Sequence, residues 1–273
     1  MSIQADFHIH SYHSFDSEAK MEDMINAALN KGLKHICFTE HMDHNFPPSP
    51  EYPEGAWECN VDSYLYELLG HRAAYDRQIE VRFGLEIGLQ ESVIRDNAIT
   101  ARSHEFDFII GSIHVVNGFD TYLPAYFEGK TTKQAILEYY ETMLRNIQKF
   151  ENFDVLGHID YIVRTLPEGE GAYKPSDYMD IVDEILNIII EREKGIEINT
   201  AALVKGFTNP NPHRDIVKRY KELGGKIITF GSDAHTPERV ATHFEEMTEL
   251  AKKSGFTEYY TFKKRVPTVH KLL

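Results

Sequence analysis

The chain has 273 residues, 43 acidic against 29 basic, for a formal net charge of −14. Such a surface repels nucleic acid and anionic membranes at long range, so neither is an expected partner; bound cations would change that balance locally. A hydrophobic content of 42% supplies a full core, and two cysteines make no disulfide framework.

No basic-then-apolar leader opens Met1-Ser2-Ile3-Gln4-Ala5-Asp6, and no apolar run nears the ~20 residues that cross a bilayer. The expected location is cytoplasmic. From here the predicted elements follow one another along the chain.

Ala5 to Ile9 reads as a strand that runs into His8 and His10. Residues two apart on a strand point the same way, and imidazole suits zinc, iron and similar metals. Asp16 follows in Ser14-Phe15-Asp16-Ser17, where it fits a ligand or a cap for the helix near 21–31 equally well. His35 to Thr39 predicts the second strand, which leads to Glu40-His41 and then His44; Cys37 inside it reads as a small buried hydrophobe. The loop Met42 to Asn60 is long and rich in proline, aromatic and acidic residues. A helix near 61–77, capped by Asn60 or Asp62, precedes a third strand, Glu80 to Leu85. Glu86 at its end is costly to bury unless paired or metal-bound, and its two oxygens can bridge metals ~3.5–4 Å apart.

A helix near 91–103 leads to a strand from Phe108 to Ser112, then to His114 and the long loop Asn117 to Thr132. A helix near 132–149 precedes Val155 to Gly157, which ends at His158; the loop Arg164 to Pro175 comes next. Tyr139, Tyr140, Phe150 and Phe153 read as outer-layer packing. After a helix near 176–193, started by Ser176 or Asp177, comes a strand from Gly195 to Asn199 with no ligand assigned to it. A helix near 213–223 precedes Lys226 to Gly231, and Gly231-Ser232-Asp233-Ala234-His235 repeats the spacing of the first pair. A helix near 238–253 ends the series. The tail, Phe256 to Leu273, fits an eighth strand or a packed extension. Gly32, Gly195 and Gly224 fit helix ends that need a left-handed residue. Taken singly, His41, His114 and His158 also fit neutral histidines bonded to backbone, and Asp233 with His235 fits a structural pair.

Strand–helix units without a composition break imply one domain over 1–273. An open sheet gathers its site at one switch point, whereas a barrel brings every strand end to one mouth; ligand-type residues after most strands therefore favour a closed barrel. No glycine-rich dinucleotide loop and no Gly-Lys-Ser/Thr phosphate loop follows an early strand. A hydrolase using several metals is the leading reading.

The motifs Asp6-Phe7-His8-Ile9-His10-Ser11, Phe38-Thr39-Glu40-His41, Gly111-Ser112-Ile113-His114 and Gly231-Ser232-Asp233-Ala234-His235 resemble those of the PHP (polymerase and histidinol phosphatase) superfamily, over nearly the whole chain. The resemblance implies an α/β fold, a distorted seven-stranded (β/α)7 TIM-like barrel, holding three divalent metal ions: zinc, iron or manganese. It places His8, His10, Glu86 and Asp233 around one ion, with Glu86 bridging to a second held by His114 and His158. Asp16, His41 and His235 would hold the third. Three such ions against the carboxylates Asp16, Glu86 and Asp233 leave the inner shell near about +3, so an anion can bind.

Glu40-His41-Met42-Asp43-His44 and the run Gly157 to Arg164 resemble the histidinol-phosphatase branch. That branch implies hydrolysis of L-histidinol phosphate to L-histidinol and phosphate in histidine biosynthesis. The alternatives are a phosphoesterase for nucleotides or short oligonucleotides, favoured by a basic channel with stacking aromatics, and a non-catalytic metal-binding regulatory or structural protein, favoured by full ligation without a reachable cavity. Arg164 is the expected phosphate clamp, or else part of a loop ion pair. His44 is expected to protonate the leaving alkoxide or bond to phosphate. Asp43, Asp160 and acids of the mouth loops are candidates for the substrate's ammonium group.

Overall fold

The computed structural model describes residues 2–273. Its strands are β1 (Ala5–Ile9), β2 (His35–Met42), β3 (Glu80–Gly88), β4 (Phe108–Ser112), β5 (Val115–Val116), β6 (Phe119–Asp120), β7 (Val155–Leu156), β8 (Gly195–Asn199) and β9 (Ile228–Gly231), with β10 (Glu258–Lys263) and β11 (Val266–Lys271) in the tail. Seven of them form one sheet in the order β1-β2-β3-β4-β7-β8-β9, with every paired neighbour parallel. Strands buried on both faces read as near-continuous apolar runs, and β1, β4 and β8 are buried at every residue. A short contact closes the ring: His10 N–H donates to Ala234 O (3.0 Å) and Asp233 N–H donates to His8 O (2.8 Å). The expected closed α/β barrel is what forms, and it is irregular where the β1–β2 register shifts between Asp6 and Ile9.

Helices α1 (Met21–Asn30), α2 (Val61–Tyr75), α3 (Ile94–Ser103), α4 (Thr132–Lys149), α5 (Met179–Glu191) and α7 (Arg214–Glu222) match the periodic stretches to within a few residues; α8 (Phe244–Lys253) starts six residues after the expected 238, and a short α6 (Ala201–Val204) follows β8. Local chemistry sets several ends. Asn60 caps α2 by accepting from Ser63 N–H (2.9 Å), and Thr131 with Gln134 forms a reciprocal capping box on α4. Neither Ser176 nor Asp177 caps α5, whose first turn follows Tyr178 with no side-chain cap. Gly32 and Gly224 take the left-handed conformation after α1 and α7, but Gly195 instead opens β8, and Glu193 supplies the positive φ (54°).

The tail is a packed extension. β10 and β11 pair only with each other. Their bonds run to residues that precede strands: Gln4 N–H donates to Tyr259 Oη (3.1 Å), and Arg265 donates from its backbone to Asp107 O (2.9 Å) and from Nε to Asp154 (2.5 Å). The hairpin therefore covers the N-terminal end of the barrel and leaves the opposite mouth open. Tyr139, Tyr140, Phe150 and Phe153 are buried as expected, and both cysteines are buried and free. Among the described residues no helix is long and apolar enough to cross a membrane.

Candidate metal centre

All the donor residues singled out in the sequence meet at the C-terminal mouth. His8 and His10 come from β1 and the residue after it, His41 and Glu86 from β2 and β3, and His114, His158, Asp233 and His235 from the segments that follow β4, β7 and β9. Four sets of donor atoms lie close enough to share an ion, each within 4.8 Å: His8, His10 and Asp233; His8, Glu86 and His158; His41, Glu86 and His114; His10, His41 and His235. Glu86 belongs to two sets, as a bridging carboxylate should. Asp16 stands beside the last set, its Oδ2 2.9 Å from His235 Nε2 and 3.7 Å from His41 Nε2. The sets overlap more than the sequence suggested, because His8, His10 and His41 each face two groups.

The surroundings fix which ring nitrogens are free. His8 Nδ1–H donates to Glu197 Oε1 (2.6 Å). Ser14 Oγ–H donates to Glu40 Oε2 (2.5 Å), so it must accept from His10 Nδ1–H (3.0 Å). In the neutral rings both Nε2 atoms then carry lone pairs, yet they stand 3.0 Å apart. Glu86 Oε2 lies 3.2 Å from His8 Nε2 and 3.5 Å from His10 Nε2, and Asp233 Oδ1 stands 3.7 and 3.6 Å from the same two nitrogens. An inward-facing ring of acceptors, with Glu86 Oε2 buried and without a hydrogen bond, calls for cations. The donor set fits divalent metals that accept imidazole and carboxylate together.

The same field governs protons. Burial opposes the charged form of His8, but Glu197, Glu86 and Asp233 outweigh it and hold the pKa well above the usual histidine range. Burial, with His235 and His41 nearby, pushes His10 down to about 3. Burial works against ionised Glu86, yet His8, His41 and His114 keep its pKa well below the usual carboxylate range.

A cavity of about 490 Å³ opens onto this centre. It reaches Asp16, His41, Glu86, His114, His158, Asp233 and His235, so the donors are accessible from the mouth. That is the size of a small-ligand pocket. Arg164 lines it: Nη1 donates to Asp233 Oδ2 (3.0 Å), Nη2 to Asn199 Oδ1 (2.7 Å) and Nε to Asn211 Oδ1 (2.7 Å). The guanidinium is aimed at the centre by two asparagines as well as by an ion pair.

His44 does not reach the cavity. Its Nδ1 lies 3.0 Å from Glu58 Oε2 and its Nε2 2.9 Å from Thr100 Oγ1, so both nitrogens are engaged on the outer side of the mouth loop. The expected leaving-group acid has no geometric basis. Nor are Asp43 and Asp160 placed to receive an ammonium group. Asp43 accepts from His114 Nδ1 (2.8 Å), and buried Asp160 accepts from Asn211 Nδ2 (2.6 Å) and His213 N–H (2.8 Å).

Four supporting residues went unassigned in the sequence: Ser14, Glu197, Asn199 and Asn211. Glu197 serves two strands, accepting from His8 with Oε1 and from His158 N–H (3.0 Å) with Oε2. A signal for it existed. Gly195-Ile196-Glu197-Ile198-Asn199 puts an ionisable residue in the middle of a fully buried strand, which is costly unless it is paired. Two glycines make room for these carboxylates: a Cβ on Gly231 would collide with Glu197 and His8, and one on Gly88 would collide with Asp43.

A barrel with convergent histidines and carboxylates at its mouth defines a metal-dependent class, and the comparisons give that class its family. The model for the PHP domain matches residues 6–201. The chain belongs to the PHP domain family. It is 34% identical over 261 residues to a Clostridium acetobutylicum protein named "Probable histidinol-phosphatase", covering 96% of this chain and 97% of that one. It is 33% identical to the histidinol-phosphatase of Lactococcus lactis, covering 94% and 93%. Among solved structures, the histidinol phosphate phosphatase of Lactococcus lactis, complexed with zinc, L-histidinol and phosphate, superposes with a TM-score of 0.90 at 32% identity, covering 97% of this chain and 98% of that one.

Proposed function

We propose that this protein is a metal-dependent histidinol-phosphatase, hydrolysing L-histidinol phosphate to L-histidinol and phosphate in histidine biosynthesis. The observation that carries the reading is the convergence of His8, His10, His41, Glu86, His114, His158, Asp233 and His235 beneath an open cavity, in a chain that matches a zinc-, L-histidinol- and phosphate-bound enzyme along nearly its full length. The open cavity also argues against a purely structural metal site.

In this reading the centre holds three divalent ions: His8, His10, Glu86 and Asp233 at one, Glu86, His114 and His158 at the second, Asp16, His41 and His235 at the third. Zinc is the favoured metal, with iron and manganese accepted by the same donors. Such ions lower the pKa of a water and stabilise the attacking and leaving oxygens of an in-line displacement.

The chain's own residues do the rest. Glu86 sets the spacing of the centre rather than attacking. Glu197, Ser14 and Asp43 hold the Nδ1 protons of His8, His10 and His114, which keeps each Nε2 turned inward. Arg164, held by Asn199 and Asn211, offers guanidinium N–H groups to phosphate oxygens.

The test is phosphate release by purified protein supplied with zinc, manganese or iron, from L-histidinol phosphate and from nucleoside monophosphates. A higher kcat/KM for L-histidinol phosphate is expected; equal or higher specificity for nucleotides would overturn the substrate. Substituting His8, Glu86 or Asp233 by alanine should remove both metal and turnover. Retention of both in all of these variants would reject the centre.

A further inference from the structure

Helix α2 carries two apolar stripes where an outer helix needs one. Tyr64 and Leu68 are buried against the barrel, with Val61, Leu65 and Tyr75 packed beside them. The opposite face turns Tyr66, Leu69, Gly70 and Ala73 to solvent; Tyr66 is 84% exposed and Leu69 49%. Residues three and four apart are neighbours on a helix surface, so these positions form one continuous line. Exposed Asp62 and Arg77 close the line at its two ends. The outward face of α8 is different. It exposes Glu245, Glu246, Glu249, Lys252 and Lys253, the solvated face expected of a helix that meets only water.

Gly70 is an independent sign. Glycine inside a helix is disfavoured relative to alanine, and it is needed where the backbone turns left-handed or another group comes close. Neither reason exists within this chain. Gly70 is not among the glycines of positive φ, and a Cβ added to it would meet nothing within 4 Å. A close approach from outside the chain supplies the missing reason, since a gap in one helix surface receives a side chain of another.

The line is also complementary to itself. Laid antiparallel against a copy, with the two-fold axis between Leu69 and Gly70, it sets Leu69 opposite Gly70, Tyr66 opposite Ala73 and Asp62 opposite Arg77. Large meets small in the middle, and acid meets base at both ends. The Asp62 side chain is 92% exposed and has His104 Nε2 at 3.0 Å from Oδ1, which leaves Oδ2 for a guanidinium. A parallel pair would oppose Asp62 to Asp62 and Tyr66 to Tyr66. An isologous interface is a patch that fits its own copy, and only the antiparallel arrangement does so here.

We propose that the outward face of α2 is an interface between two copies of this chain, packed as an antiparallel helix pair. None of its residues lines the mouth cavity, so the interface stands apart from the reaction. One helix pair is small for a specific interface, so the balance between one chain and two should shift with concentration.

The experiment is sedimentation velocity on the full-length metal-loaded protein across a concentration series, for the wild type, Leu69→Glu, Tyr66→Glu and Arg77→Glu. The wild type should pass from the mass of one chain to that of two. Leu69→Glu and Tyr66→Glu should raise the dissociation constant about tenfold or more, as loss of a central apolar anchor does. Arg77→Glu should raise it about two- to fivefold, and the double reversal Asp62→Arg with Arg77→Asp should recover most of that loss. Thermal melts keep the comparison to folded proteins, and all the substituted positions are exposed. A wild type that stays a single chain at every concentration would overturn the proposal and leave the face to a different protein. A two-chain species that persists unchanged in Leu69→Glu and Tyr66→Glu would also overturn it, because the contact would then lie elsewhere.

Discussion

Replacing Glu197 by glutamine tests whether the metal centre depends on a carboxylate that touches no metal in the proposed arrangement. Glu197 uses both oxygens as acceptors: Oε1 takes the His8 Nδ1 proton at 2.6 Å, and Oε2 takes His158 N–H at 3.0 Å and Asn199 Nδ2–H at 3.2 Å. Glutamine has one acceptor and one donor end. If its oxygen keeps His8, its amide group opposes His158 N–H, leaving a buried donor unpaired at a cost of about 1–3 kcal/mol. If its oxygen keeps His158, its amide forces His8 to carry the proton on Nε2, the nitrogen that must coordinate. Either route weakens the site. Loss of such an outer partner typically costs about 10- to 100-fold in metal affinity or activity. The assay is a chelator-competition titration of metal affinity, paired with kcat/KM and a thermal melt to show that the barrel is folded. A folded Glu197→Gln protein with wild-type metal affinity and turnover would refute the reasoning.

Other consequences can be checked with single variants. Gly231→Ala puts a methyl group against Glu197 and the His8 Cβ, so we expect roughly 1–3 kcal/mol of destabilisation by denaturant melting and a lower metal content. Arg164→Met removes the guanidinium that faces Asp233, and should weaken competitive inhibition by inorganic phosphate by about tenfold or more; unchanged inhibition would remove it from the phosphate site. His44→Gln should leave kcat within about twofold, because both ring nitrogens bond outside the cavity; a loss like that of the donor variants would restore the acid role.

The barrel was legible because its signals are local and repeated. Each strand of the sheet carries a short apolar run, and each run is followed by a donor or an amphipathic helix. The donors were legible for the same reason: spacing two apart at His8/His10 and Asp233/His235 survives any uncertainty in strand ends. What escaped was the direction of side chains in irregular loops. Asp43 and His44 are adjacent, yet one points to His114 and the other to Glu58 and Thr100. Nothing in the run His41-Met42-Asp43-His44 fixes that choice, because it depends on where β2 ends and the loop turns. Glu197 escaped because it was judged as part of a strand rather than as a buried charge needing partners. The tail's place beneath the barrel depends on contacts with residues 4, 107 and 154, far apart in sequence.

The acidic balance of the chain and its action on a phosphate ester are compatible because charge is local. Buried carboxylates at the mouth are spent on histidines, as with Glu86, Asp233 and Asp43, or on hydroxyl and amide donors, as with Glu40. They aim ring nitrogens and are grouped so that they could hold cations; they do not present a bare negative surface to phosphate. The acids that line the cavity without touching a histidine, Glu51 and Asp120, belong to the arc after β2 to β4, while the basic side chains follow β7 to β9. A dianionic head and a cationic tail on one small molecule would be oriented by that division before either made a close contact, since opposed fields steer a dipolar ligand. A monoester lacking the cationic tail would keep the attraction at one end and lose the orienting pull at the other. In the proposed reading, substrate choice rests with the mouth loops and hydrolysis with the strand ends beneath them.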